Sequence, residues 1–182
     1  MAQHKPMTTS TLTTRRAVVQ FAALAAVGLG LAGCGFRLRG SQAFAFKSIA
    51  ILPNPGVAVA QELRLSFGAA VQVLATDAPG TPAQLVLNVT NEQREKIVVG
   101  VNVSGQVREF QLRMRVRLNL RTAQGKEIIE NDEIVQQRDI SYNESAALAK
   151  EAEETLLYRD MQSDIVQQIL RRLAAIQPGQ LD

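Results

Sequence analysis

The sequence predicts an α+β fold: a four-stranded, mostly antiparallel or mixed sheet with two helices packed on one face, in the order β-α-β-β-β-α. Three observations carry this expectation. Apolar residues alternate through the middle of the chain, they recur at helical spacing before and after it, and turn residues stand where one period gives way to the other.

Ser48-Ile-Ala-Ile-Leu52 is a short apolar run closed by Pro53-Asn-Pro-Gly56, as expected of a buried strand ending in a turn. From Val57 to about Leu74 the spacing of Val59, Leu63, Phe67, Ala70, Val71 and Leu74 predicts a helix, stopped by Thr76-Asp-Ala-Pro-Gly80. Alternation follows. Leu85, Leu87 and Val89, then Ile97, Val99, Val101 and Val103, are all odd-numbered and are expected to share one face of an extended chain. Ser104-Gly105 reads as a tight turn. In the next strand Phe110, Leu112, Met114, Val116, Leu118 and Leu120 form the apolar face, and Gln111, Arg113, Arg115, Arg117, Asn119 and Arg121 the polar one. Ala123-Gln-Gly-Lys126 is a second turn, leading to a strand over 127–140. A long helix from about Asn143 to Ile176 closes the domain. Ser141 and Glu144 fit a capping box at its start, Leu157, Met161, Ile165, Ile169, Leu173 and Ile176 its apolar stripe, and Pro178-Gly179 its end.

The N-terminus has a different character. Lys5, Arg15 and Arg16 precede a mostly apolar run, Ala17 to Leu31, and no acidic residue occurs before Glu62. A run of about 15 residues is short for a membrane-spanning helix, which needs roughly 20. A basic start, a short apolar run and small residues before a cut describe an export signal. The small residues are Leu31-Ala32-Gly33-Cys34, which resemble the lipobox of bacterial lipoproteins, with Cys34 as the acylated residue. The Arg15-Arg16 pair invites a twin-arginine reading, but Ala17-Val-Val-Gln20 fits it poorly, and a plain charged leader is expected. The chain thus divides into a removed signal (1–33), a lipidated tether (34–47), one α+β domain (48–177) and a short tail (178–182).

Removing 33 of 182 residues leaves 149, the size of one domain. Three of the 20 basic residues leave with the signal, so 17 remain against 17 acidic ones. The basic pI therefore belongs to the leader, and no nucleic-acid partner is expected. His4, the only histidine, leaves too, and Cys34 is the only cysteine. Zinc sites, intramolecular disulfides and nucleophiles activated by histidine are excluded by inventory. No catalytic residue, metal or cofactor is expected apart from the covalent lipid on Cys34.

Two charged features remain. Arg113, Arg115, Arg117 and Arg121 alternate, which aligns four guanidinium groups on one sheet face. They suit either phosphate binding or neutralisation by the next strand, where Arg117 is expected near Asp132 with Glu130 close by. Lys150 lies early in the last helix, where a cation runs against the helix dipole; Lys150–Glu154 at i,i+4 is its expected structural pairing.

Taken in order, several motifs resemble the LptE family of lipopolysaccharide-assembly lipoproteins. Cys34-Gly-Phe-Arg-Leu-Arg39 is similar to the family's start, Gly105-Gln-Val-Arg-Glu-Phe110 to its Gly-Gln-x-x-Glu-Tyr strand entry, and Ala147-Leu-Ala-Lys-Glu151 with Gln168-Ile-Leu-Arg-Arg-Leu173 to its last helix. The resemblance implies an outer-membrane lipoprotein that plugs an LptD β-barrel, supports its assembly and binds lipopolysaccharide. It implies anchorage by lipid on Cys34 and a periplasm-facing place within the barrel. Lys150 matches a family lysine associated with lipopolysaccharide binding. A basic residue often precedes the Ser/Asn-Gly turn in the family, whereas Val103 stands there in this chain; Arg108 and the stripe Arg113, Arg115 and Arg117 are the nearest substitutes. The competing expectation is another outer-membrane lipoprotein, an accessory subunit of an envelope lipid-transport machine. An enzyme working with carboxylates alone is a third, disfavoured by scarce aromatics and the lack of a paired acid and base.

Overall fold

A computed structural model of the chain describes residues 42–54, 56–75 and 82–181. The signal, Cys34, the start of the tether and the turn expected at Thr76–Gly80 lie outside the described residues. The elements are β1 (Ser48–Leu52), α1 (Ala58–Ser66), β2 (Gln72–Leu74), β3 (Leu85–Val101), β4 (Val107–Thr122), β5 (Glu127–Ser141) and α2 (Ala147–Ala174). One sheet runs β2-β1-β3-β4-β5. β1 is parallel to both its neighbours, and β3, β4 and β5 are antiparallel. The α+β architecture with two helices is the expected one, with five strands instead of four.

The fifth strand comes from the end of the segment expected as helix. α1 stops at Ser66, and Gly68 adopts φ +53°, a left-handed conformation that ends a helix cheaply only at glycine. Beyond it, Ser48, Ile49 and Ala50 pair with Gln72, Val73 and Leu74. The spacing of Ala70, Val71 and Leu74 suits a helix, but the open edge of β1 offers backbone partners that a lone last turn lacks. Tertiary pairing overrides local period. At the other end of the domain the helix starts later than expected. Asn143 caps a single 3₁₀ turn (Glu144–Ala146) by accepting from Ser145 N at 3.1 Å, and α2 follows. Ser141 is the last residue of β5 and does not cap it.

The core lies between one sheet face and the two helices. Val59, Ala60 and Leu63 of α1, and Met161, Ile165, Ile169 and Leu173 of α2, cover Ile49, Ile51, Leu87, Leu112, Met114 and Leu118, all essentially inaccessible. Each such aliphatic side chain stabilises the fold by roughly 1.5–3 kcal/mol relative to exposure. Phe46 joins this core and packs with Phe44 and Phe67, at ring-centroid separations of 5.3–6.5 Å. Arg64 of α1 donates through Nη2 to the carbonyls of Ile51 and Pro53 at 2.7 and 2.6 Å, tying α1 to the end of β1.

A bulge in β3 corrects the expected face assignment. Thr90 pairs with Arg117 and Gln93 with Arg115, so Asn91 and Glu92 together stand opposite Val116 alone. Asn91 takes φ +55°, which asparagine tolerates better than most residues. The extra residue reverses the alternation. Leu85, Leu87 and Val89 face the helices. Beyond the bulge it is Arg94, Lys96 and Val98 that share a face with Met114, Leu112 and Phe110, while Ile97 stands across from Gln111 on the opposite face. Ile97 is therefore off the core face; the register shifts twice more between Val98 and Val101, and Ile97, Val99, Val101 and Val103 are all exposed.

Candidate functional site

Where the far half of β3 and β4 meets the start of α2, a hollow of about 350 Å³ opens to solvent. Lys96, Val107, Phe110, Ile140 and Tyr142 line the sheet side, and Ala147, Lys150, Glu151 and Glu154 the helix side. Each contribution has a local cause. The bulge at Asn91 turns Lys96 toward the helices. The strand alternation of β4 puts Phe110 beside it, and Lys150 and Glu154, one turn apart on α2, present both signs of charge to the same opening.

The two ammonium groups are held differently. Lys96 Nζ donates to Glu154 Oε2 at 2.7 Å and sits 4.4 Å from the Phe110 ring centroid. Phe110 in turn meets Tyr142 edge-on at 5.3 Å. Lys150 Nζ donates to Glu153 Oε2 at 2.8 Å and to Ser141 Oγ at 3.1 Å. The i,i+4 pairing expected between Lys150 and Glu154 is thus replaced by an i,i+3 pairing with Glu153, because Glu154 is taken by Lys96. Below the hollow, the Tyr158 hydroxyl donates to Glu95 O at 2.8 Å, with the Arg94 guanidinium 5.4 Å from its ring centroid. Burial first, then the Glu154 carboxylate, push the Tyr158 phenol above its ordinary value against an opposing pull from Arg94.

The arginines singled out in the sequence divide between two places. Arg108 lines a second hollow of about 250 Å³ with Gln106, Asn143 and Ser145, and this hollow shares Val107 and Glu144 with the first. Lys150 and Arg108 are therefore brought into adjoining openings. Arg113, Arg115 and Arg117 lie on the opposite, helix-free face. There Glu95 stands 3.7 Å from Arg113 and 3.9 Å from Arg115, and Glu133 stands 3.6 Å from Arg115 and 2.9 Å from Arg117. The stripe is an alternating ladder of charge. Asp132 is not the partner of Arg117: a bulge in β5, with Asn131 at φ +38°, places Asp132 across from buried Leu118, where Arg172 of α2 pairs with it. Arg121 stands across from Glu127. Lys96, Phe110 and Tyr142 were not singled out by sequence. The signal that could have found them is Asn91, a residue tolerant of left-handed backbone at the point where the apolar alternation lapses.

Among the described residues no group of three or more acidic, histidine or cysteine side chains could hold a metal ion, and no helix is long and apolar enough to cross a membrane. Sheet and helices together make an α+β domain with, at one end, an opening lined by apolar side chains, two lysines and the carboxylates of Glu144, Glu151 and Glu154. Residues 45–173 match the family described as LptE, Lipopolysaccharide-assembly, and the chain belongs to that family. No curated protein matches. Among solved structures, an uncharacterized lipoprotein B from Nitrosomonas europaea is 33% identical, covering 78% of this chain and 91% of its own, at a TM-score of 0.66. The rare lipoprotein B of Shewanella oneidensis (19% identity, 71% and 95% covered, TM-score 0.60) and a minor lipoprotein of Acinetobacter baumannii (23%, 71% and 92%, 0.56) share the fold.

Proposed function

We propose that this lipopolysaccharide-assembly protein is anchored to the outer membrane through acylated Cys34, seats inside an LptD-like β-barrel, and binds lipopolysaccharide at the hollow beside α2. The observation that carries the ligand reading is the position of Lys150 in the wall of an opening that also presents Phe110, Ile140 and Tyr142. Phosphate groups on an acylated sugar need a cation and an apolar neighbour together, and the hollow offers both. Val98, directly across from Phe110, and Leu148, two residues before Lys150, are exposed apolar residues next to lining residues of the hollow.

The opposite face supports the barrel reading. Gln93, Glu95, Gln111, Arg113, Arg115 and Arg117 form a polar surface whose charges are largely paired within the sheet. Barrel lumens of the outer membrane are polar, so such a surface can lie against one without stranding apolar groups. A barrel wall would also cover the free edge of β5, which is otherwise open to pairing.

Purification of the intact lipoprotein from outer membranes should recover a large β-barrel at one-to-one stoichiometry. Recovery of the protein alone, with normal barrel levels after its depletion, would overturn the plug. For the ligand, Lys150→Asp should weaken lipopolysaccharide binding while circular dichroism is unchanged. A folded Lys150→Asp protein that binds as well as wild type would move the ligand elsewhere.

A further inference from the structure

The hollow contains a second ammonium group whose present partner is poorly suited to keep it. Lys96 lies over Phe110 with its Nζ bound to Glu154 Oε2 at 2.7 Å, and the two side chains keep 36% and 23% of their accessible surface. Ion pairs this open to water are weak and exchange readily. Glu154 itself lines the hollow, whereas Glu153, the partner of Lys150, does not. The carboxylate on Lys96 therefore stands inside the opening, where an incoming anion would go.

A phosphate group has more charge and more acceptor oxygens than a carboxylate, so it can engage two ammonium groups where Glu154 engages one. The Phe110 ring would hold Lys96 in place during the exchange, because cation–π attraction does not use the ammonium protons. The geometry points to Lys96 as a second phosphate-binding residue of the hollow, latched by Glu154 until the phosphate of a lipid headgroup displaces that carboxylate. The lipid source rests on the lipopolysaccharide reading above; the anion exchange does not.

The test uses the intact mature protein in detergent, titrated separately with lipid A, with dephosphorylated lipid A and with pyrophosphate. Lys96→Gln should weaken lipid A binding by about threefold to tenfold, the loss of one partly exposed charge-assisted contact. Glu154→Gln should strengthen it by about twofold to fivefold, since no ionised carboxylate then competes for Lys96. The gain should vanish in the double variant, and dephosphorylated lipid A should show none of these changes. Lys96→Arg, which keeps the charge, should bind close to wild type and serves if Lys96→Gln misfolds. A purely structural Lys96–Glu154 pair predicts instead that Glu154→Gln binds no better than wild type, and that result overturns the latch. Unchanged binding in both variants with weakened binding in Lys150→Gln overturns the role of Lys96 and leaves the hollow as the ligand site. Pyrophosphate binding with the expected variant pattern, but no lipid A binding, keeps the anion exchange and overturns the lipid. Binding of neither probe overturns both.

Discussion

Glu92 Oε2 accepts a hydrogen bond from Val59 N at 3.0 Å, so a carboxylate from the β3 bulge caps α1. The helix needs it. Val57 at its N-cap position offers no side-chain bond, and its first turn holds no acidic residue. The first amides of a helix lack internal partners and carry the positive end of its dipole, which an anion satisfies on both counts. The extra residue at Asn91 that reverses the strand alternation is thus also what delivers Glu92 to the helix.

Glu92→Ala should lower stability by about 1 kcal/mol, the usual cost of losing an N-terminal cap. Chemical denaturation should show a reduced midpoint with an unchanged slope. An unchanged midpoint would mean that water replaces the carboxylate without loss.

Tyr158→Phe removes the hydroxyl that donates to Glu95 O at 2.8 Å and should cost about 0.5–1.5 kcal/mol at neutral pH. The phenol titrates higher in the fold than its ordinary 10.0 because the fold favours the neutral form. As pH rises past about 10, the unfolded chain ionises first. The stability that Tyr158 contributes is therefore complete below that pH and is lost as pH rises through the folded value. The gap between wild type and Tyr158→Phe should narrow in alkaline solution. A gap that stays constant from pH 8 to 11 would rule out this coupling.

Ile165→Ala should be the harshest of these substitutions. Ile165 is fully inaccessible on the core face of α2. Removing three carbons from a packed interior costs about 2–5 kcal/mol, since the surroundings close the cavity only in part. A loss below about 1 kcal/mol would show that α2 shifts to fill the space.

Cys34→Ala should leave an unlipidated precursor that keeps its apolar leader, Ala17 to Leu31, and so runs larger than the mature protein and fails to reach the outer membrane. One acyl chain binds a bilayer marginally and additional chains hold firmly, so without the acceptor thiol no stable lipid anchor can form. Mass spectrometry of the wild-type mature protein should show Cys34 carrying lipid; an unmodified thiol there would end the anchor proposal.

Much of the fold was legible in the sequence because its longest elements bury one face each. The even positions of β4 from Leu112 to Leu120 and the stripe of α2 from Met161 to Leu173 are core as their periods imply. Where one residue reversed a period, the reading failed. Nothing in the alternation of Leu85, Leu87 and Val89 announces that two residues at 91–92 face one on β4, or that the register shifts again between Val98 and Val101. Ile97 and the valines near 99–103 were therefore expected to share a face with Leu85 that the strand does not keep. β2 was missed because its partner is remote: Val73 pairs with Ile49, and that contact has no signature in residues 70–74. The hollow was half legible. Lys150 stood out against the helix dipole, but Lys96 reaches the hollow only through the bulge, and its neighbour Phe110 looked like ordinary core.

The burial of Phe46, with Phe44 packed against Phe67, sets the length of the mooring line. With the proposed lipid on Cys34, only the ten residues up to Phe44 would be available as leash, and a fully extended chain of that length reaches roughly 35 Å. Untying the phenylalanines would lengthen it, but at the expense of apolar contacts beneath α1. Under the proposed anchor the protein would work on a short radius. The Phe44 end of the domain would stay within about one bilayer thickness of the membrane surface, and a barrel that it enters would present its opening inside that distance.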